Sequence, residues 1–585
     1  MGKNFNIYLG FILLGFAQFL SGQNLHSVLK VDGALGPVNA NEPSIAYFKN
    51  SSQCGLIGVN TSSVFRTKDP WMNRWIPVMV NPPQGFYGDP VLKISNQGVV
   101  FMAHLAKNKT GVWPNFFDRI VFERSDDSGK TFTSTDVGFH EGKMQDKPWF
   151  SLDEWKQSQG FGNVYLSWTE FDVYGSRSDQ DSSRIWFARS VDGGRSFETP
   201  IAISDVSGDA QDDDATAEGA NISITPDGVL HAVWSRNDTI WYDCSRDFGI
   251  TWGKDQFVAR QIGGWNHAGM ASTLRANGMP VIQSDLFGNI YVVYSGDACE
   301  HGFTTHWECM RRDVYLTMKR PDDACFSPPI VLNKPTNGES FHSKGSDGLS
   351  GDIAIPLFEF SEQYSPAMVV SPNGKRLFVA WEDRRRSQTG VFFDIYGVEI
   401  IARKRGQFKT SDNLRISENV NIAPGNEVFM GDYISLDWSE SLQVAYTGYS
   451  ILNHHPIVCL SRLKWKRRGG SKFFIRGETG INTPALEVAI IKDKQQVAST
   501  LDSRGDGSNK TETNKQIAIW AAWPEAKNFT LEFKLGKQVM FEHVFENVKD
   551  GHVDLMIPMS RFSLGVYEIV LRKKGKMIKQ PFYYN

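Results

Sequence analysis

Up to about residue 466, short runs of apolar and β-branched residues alternate with polar corners, and no run keeps a helical period for long. One unit recurs seven times: a polar corner, a short apolar strand, a Gly or Asn turn, then a second strand of aromatic and β-branched residues. Its starts are Asn41-Glu42-Pro43, Gly88-Asp89-Pro90, Asp146-Lys147-Pro148, Glu218-Gly219-Ala220, Gly278-Met279-Pro280, Tyr364-Ser365-Pro366 and Gly431-Asp432-Tyr433. Pro opens most of these strands, as suits a residue with fixed φ and no N–H to donate. Second strands are expected at Val99–Leu105, Val164–Trp168, Val229–Trp234, Ile290–Tyr294, Arg376–Trp381 and Leu442–Tyr446. Third strands follow at Arg119–Arg124, Arg184–Arg189, Thr239–Ser245, Asp313–Met318, Phe393–Ala402 and Ile457–Leu463. A weaker fourth strand closes each unit. Four antiparallel strands in each repeat are the sequence form of an all-β fold, the β-propeller. Leu25–Val31, ahead of the first start, is placed to supply the last unit's outer strand and close a ring of seven blades.

Between third and fourth strands one turn returns three times, at Ser125-Asp126-Asp127-Ser128-Gly129, Ser190-Val191-Asp192-Gly193-Gly194 and Ser245-Arg246-Asp247-Phe248-Gly249, each followed by Ser or Thr and an aromatic. The carboxylate is placed to accept backbone N–H groups, the glycine to supply a positive φ, and the aromatic to pack between sheets. With this turn, over about Asn24 to Lys466, the chain resembles the secreted sialidase-like proteins with Asp-box (BNR) repeats. Val379-Ala380-Trp381-Glu382-Asp383-Arg384-Arg385 and Gly431-Asp432-Tyr433 also fit that family's habits. True sialidases have six blades, which is the alternative to seven. The chain lacks the family's early Arg-Ile-Pro motif, Arg74-Trp75-Ile76-Pro77 being a poor substitute, so no arginine triad carries over.

After about Lys472 the pattern changes to plain alternation at Ala485–Ile491, Gln516–Trp523, Asn528–Leu535, His552–Ile557 and Gly565–Leu571, which reads as a C-terminal β-sandwich over 467–585. The basic run Lys464–Arg468 before it reads as a solvated linker. At the other end, Lys3, the apolar stretch Ile7–Leu20 and Ser21-Gly22-Gln23 read as a signal peptide over 1–23. The propeller would then fill 24–466 of an exported, secreted or periplasmic protein, and no later segment is long and apolar enough to span a bilayer. With 62 Lys and Arg against 65 Asp and Glu, nothing in the bulk charge recruits nucleic acid. Six cysteines are too few for a disulfide scaffold, though Cys299 and Cys309 bracket one loop and are expected to pair in an oxidising compartment, with a zinc site including His301 and His306 as the alternative.

In a propeller, the connections into each first strand share one end with the loops between second and third strands, and the Asp-box turns fall at the other end. The first end is expected to carry Glu42, Asp89, Asp146, Lys147, Glu218, Asp432 and Tyr433, joined by Glu170, Asp172, Arg236, Asp238, Asp297, Glu382, Asp383, Arg384 and Arg385. Converging carboxylates, guanidinium groups and a tyrosine suit hydrolysis of an acidic sugar. Asp89, Asp146, Glu218, Asp432 and Tyr433 are therefore the catalytic candidates, with Arg236, Glu382, Arg384 and Arg385 for substrate binding. Each could instead seal the ring through backbone bonds. Asp205, Asp209, Asp212, Asp213, Asp214 and Glu218 offer hard oxygens suited to Ca²⁺, but without the order of an EF-hand; no cofactor is expected, and a solvated acidic loop is the simpler reading. The partner class is an extracellular glycan, taken as substrate or held without catalysis. A polysaccharide lyase using a base such as His104, or a protein-interaction platform, are the other classes the pattern allows.

Overall fold

The computed structural model describes residues 26–28, 30–31, 40–49, 54–60, 63–67, 74–106, 117–265, 278–297, 312–334, 362–387, 391–403, 406–417, 421–422, 428–439, 441–450, 455–468, 471–475, 485–493, 514–522, 528–545, 552–558, 565–573 and 576–584. The signal-peptide reading and the Cys299–Cys309 pair lie outside these residues.

Seven antiparallel sheets follow one another up to Arg468, each beginning at one of the seven starts. Second strands at Val100–Ala106, Val164–Phe171, Leu230–Ser235, Ile290–Asp297, Arg376–Asp383 and Leu442–Ser450 sit where the apolar pattern puts them. The first strand of every sheet packs on that of the next, and the strand at Ser435–Trp438 returns to the one at Ser44–Tyr47, so the row is closed. Each interface between neighbours holds its own apolar cluster. Trp168, Trp234 and Trp381, at equivalent places on second strands, are fully buried there.

The closing segment divides in two. His26–Val28 pairs antiparallel with Cys459–Ser461 of the seventh sheet, whereas Lys30–Val31 pairs parallel with Arg74–Trp75 of the first. The amino-terminal strand thus spans the seam of the ring and bonds both sides of it.

The three Ser-x-Asp turns fold alike. Asp192 Oδ1 accepts the N–H groups of Arg195 and Ser196 at 3.0 Å, Ser196 Oγ donates to Oδ2 at 2.6 Å, and Gly194 N–H donates to Ser190 Oγ at 2.8 Å. Asp127 and Asp247 repeat the pattern. The aromatics that follow, Phe132, Phe197 and Trp252, pack against the clusters between sheets.

Two further sheets follow. One pairs Ala485–Asp493, Asn514–Ala522 and His552–Pro558; the other orders Gln538–Phe545, Phe529–Leu535, Gly565–Lys573 and Lys576–Tyr584. Ile517, Ile519, Leu531, Phe533, Ile557 and Ile569 form one core shared between them. The basic run read as a solvated linker is strand: His455–Arg468 continues without a break, and its end, Lys464–Arg468, pairs with Ser471–Ile475. Lys and Arg stems are apolar for most of their length, and Trp465 supplies alternation within the run, so a charged stretch of this kind extends a ribbon readily.

Candidate functional site

The start motif does two things at successive positions. In four sheets the ladder slips by a bulge at the start, between Gly88 and Val91, Asp146 and Trp149, Glu218 and Asn221, and Tyr364 and Ala367. In these four starts the second residue lies in the left-handed region, with φ of 49° at Asp89 and Lys147, 48° at Ser365 and 74° at Gly219, and Glu42 shares that conformation at 49° without a bulge in its ladder. Non-glycine residues pay about 1 to 3 kcal/mol each for that conformation, so the packing around the axis must over-determine it. At Gly219 only glycine fits, because a Cβ would lie 2.4 Å from Met279 Cγ.

The outcome is a cavity of about 70 Å³ on the axis, lined by the second residue of six starts, Asp89, Lys147, Gly219, Met279, Ser365 and Asp432, together with Trp149 and Tyr433. That is space for only a few water molecules at the ~10–15 Å³ each requires. Lys147 Nζ lies 2.6 Å from Asp432 Oδ2, 3.1 Å from Asp89 Oδ2 and 3.5 Å from Glu42 Oε1. Asn60 Nδ2 donates to the other Glu42 oxygen at 2.6 Å, and Asp432 N–H donates to Oε1 at 3.1 Å. Burial alone would discharge the amine, yet Asp432, Asp89 and Glu42 hold the Lys147 pKa well above the lysine value. Burial, then Asp89, push Glu42 upward against the pull of Lys147. Tyr433 meets Trp149 edge to face at 6.4 Å, and burial, then Asp89 and Glu42, raise its pKa. Asp89, Asp432 and Tyr433 therefore do converge, around a lysine rather than around open solvent.

The first residue of each start faces the end where loops gather. Asp146, 7% exposed, is pushed up to about 8 by burial, with Asp89 and Asp212 adding and Lys147 opposing. Tyr174, on the loop after the second strand of sheet three, donates its hydroxyl to Asp212 Oδ2 at 2.5 Å. Burial first, then the charges of Asp212, Asp146 and Glu218, raise its pKa. Tyr87 is raised by burial, then by Asp89 and Asp146. Tyr87 and Tyr174 flank Phe117, at ring separations of 6.0 and 5.0 Å, and both are half-buried. Asp146 and Glu218 thus sit beside a tyrosine–carboxylate pair that sequence reasoning passed over. Asp212 was visible only as part of an acidic stretch, and Tyr174 carried no motif beyond standing two residues after Asp172.

That stretch does not act as one unit. Asp205 accepts from Lys254 at 2.7 Å, Asp209 from Thr216 at 2.9 Å, Asp213 from the N–H of Ala215 at 2.9 Å and Asp214 from the N–H of Trp265 at 2.9 Å. Among the described residues no three His, Cys, Asp or Glu side chains are grouped to hold a metal ion.

The arginines proposed for substrate lie elsewhere. Arg236 stacks 5.0 Å over Trp241 and reaches Ser207 O at 3.5 Å. Arg384 is fully buried, with Nε donating to Tyr364 Oη at 3.2 Å and Nη1 3.5 Å from Glu362; burial pushes Glu382 beside it up to about 8, against the pull of Arg384. Arg385 forks onto Asp383 at 2.7 to 2.9 Å, lies 4.3 Å over Tyr396 and donates to Asn413 at 3.0 Å. His104 is enclosed, stacked 4.1 Å from Phe86 with Nε2 3.4 Å from Glu123.

No family model matches the chain, and no curated protein matches it. Among solved structures it is similar to an α-L-arabinanase of Penicillium chrysogenum, at 15% identity over 65% of this chain and 93% of the other, TM-score 0.36. It is similar also to the intramolecular trans-sialidase of Ruminococcus gnavus, at 10% identity over 64% and 94%, TM-score 0.37, and to a hydrazine synthase of Kuenenia stuttgartiensis, at 11% over 74% and 99%, TM-score 0.40. At such identities and scores the likeness is loose, and the chemistry rests on this chain's own residues. Among the described residues no helix is long and apolar enough to cross a membrane.

Proposed function

We propose that the chain is an exported, glycan-acting propeller that cleaves a glycosidic bond at the loop-bearing mouth of its axis. One observation carries this: Asp146, whose burial keeps it protonated at neutral pH, stands beside a Tyr174–Asp212 pair that solvent reaches. In this reading the Asp146 carboxyl gives its proton to the glycosidic oxygen as the bond to the anomeric carbon breaks. Tyr174 Oη attacks that carbon while Asp212 takes the phenol proton, and water then releases the sugar from Tyr174.

The charge of the mouth argues for a neutral glycan in place of the acidic sugar that the arginines suggested. Among the described residues carboxylates gather there, the Lys147 ammonium faces Asp432, Asp89 and Glu42, that of Lys143 faces Asp172, and Arg236, Arg384 and Arg385 are engaged elsewhere. The test is a screen of the purified protein against neutral and sialylated glycosides and polysaccharides, scored for binding and product, with Asp146→Asn and Tyr174→Phe in parallel. Release of neutral sugars that both substitutions abolish is the expected result. Activity confined to sialosides, or undiminished in Asp146→Asn, would overturn the reading, and binding without product would favour a non-catalytic glycan receptor.

A further inference from the structure

The arginine run after the second strand of sheet six serves three places, and the third points away from the propeller. Arg384 turns inward to Tyr364 and Arg385 is held by Asp383, whereas the Arg386 guanidinium lies 5.5 Å over the ring of Trp520. Trp520 belongs to the strand Asn514–Ala522 of the C-terminal domain. In that strand Ile517, Ile519 and Ala521 enter the sandwich core, so alternation turns Trp520 to the outer face of its sheet. It is nevertheless only 2% exposed. Arg386 is itself fixed from behind: Nη1 donates at 3.1 Å to Asp394, which also receives Arg415 at 2.8 Å and Ser417 at 2.9 Å and is 1% exposed. A guanidinium anchored by a buried carboxylate and laid on a buried indole face is a formed contact between the two parts of the chain.

We infer that the C-terminal sandwich docks, through the outer face of its three-stranded sheet, on the loop-bearing end of sheet six, with the Arg386–Trp520 stack as its clasp. The connection that carries Arg386 lies at the same end as Tyr174 and Asp146, so the clasp fixes the second domain beside the mouth of the axis and leaves the Asp-box end uncovered by it.

Hydrogen exchange and small-angle scattering on the full chain test this with Arg386→Ala, Arg386→Lys and Trp520→Phe. Arg386→Ala is expected to speed exchange in residues 514–522 by roughly tenfold, as loss of a desolvated cation–π contact implies, and to enlarge the maximum dimension. Arg386→Lys keeps the charge but loses the planar stack and should fall between wild type and Arg386→Ala, while Trp520→Phe keeps a ring and should change least. Faster exchange in the propeller common to all three would mark general unfolding and is read out separately from peptides of sheets two and three. Wild-type exchange at 514–522 and unchanged scattering in both Arg386 variants would overturn the inference.

Discussion

Replacing Lys147 by Met removes the ammonium that Glu42, Asp89 and Asp432 share, and leaves the rest of the start motif in place. At separations of 2.6 to 3.5 Å, and an effective dielectric near 20, each contact is worth about 5 to 6 kcal/mol of attraction before the cost of taking the charges out of water. Most of that gain offsets desolvation and the repulsion among the carboxylates, so the net loss is smaller, on the order of 3 to 5 kcal/mol for breaking a buried pair from one side. A second route gives the same scale. Without the ammonium the cheapest response is for Asp432 to hold a proton, which at pH 7 costs about 4 kcal/mol against an ordinary pKa near 3.9, and about 1.5 kcal/mol at pH 5. The sign follows from the protons: the folded variant binds more of them than the unfolded chain, so its stability is greatest below the unfolded carboxylate pKa and falls as pH rises through the folded one. Urea unfolding followed by circular dichroism at pH 5, 6, 7 and 8 reads this directly. A deficit relative to wild type that grows by about 1.4 kcal/mol per pH unit is expected, and adding Asp432→Asn should recover much of it. A deficit under about 1 kcal/mol, or one that does not change between pH 5 and 8, would refute the view that the lysine neutralises the axis.

Activity on a neutral glycoside should fall as pH rises through about 8, where Asp146 loses its proton; a rate–pH profile whose alkaline limb lies well away from 8 would show another acid at work. Asp192→Ala should lower stability by about 1 kcal/mol, a value discounted for exposure of the turn, and leave turnover by the folded fraction unchanged, as thermal melts with parallel rate measurements would show. Because hydrogen bonds from Ser196, Ser190 and Arg195 outweigh burial and hold the Asp192 pKa down at about 2, its contribution is present above the ordinary aspartate value and lost as acid brings the pH down through 2. Gly219→Ala should destabilise by about 1 to 3 kcal/mol from the positive φ alone, with the clash against Met279 added, and a melting temperature equal to wild type would contradict the assigned bulge.

What the sequence made legible was whatever repeats. The strand positions could be read because alternation and turn residues are local properties, and seven copies reinforce one another. The Asp-box turn could be read to the level of single hydrogen bonds, since donor, acceptor and glycine lie within five residues. The division of the amino-terminal strand across the seam was not legible, because its two short halves differ in partner rather than in pattern. Nor were the strands Gln538–Phe545 and Lys576–Tyr584, whose mix of charge and apolar residues is that of edge strands. At the site, proximity along the chain misled: Arg384 and Arg385 are neighbours in sequence, but a strand end turns them into separate surroundings. Tyr174 and Asp212 are 38 residues apart and meet only because two connections cross the same rim.

The start motif separates stability from chemistry by one residue. Its second position projects into the axis, where Glu42, Asp89, Lys147 and Asp432 bond sheets one, two, three and seven to each other. Its first position stays in register with the second strand, Asp146 opposite Thr169 and Glu218 opposite Ser235, and so remains at the end where the loops are. The two sets are not independent, because Asp89 and Lys147 both act on Asp146, one raising its pKa and the other lowering it. A lysine that holds the ring together therefore also sets how firmly the proposed acid keeps its proton. Loss of the ammonium removes the charge that favours ionised Asp146, so any neutral Lys147 variant that remains folded should carry its alkaline limb to higher pH than wild type. A limb that stayed at about 8 in such a variant would mean that the axis and the mouth are electrostatically separate, and would leave burial and Asp212 to account for the raised carboxyl.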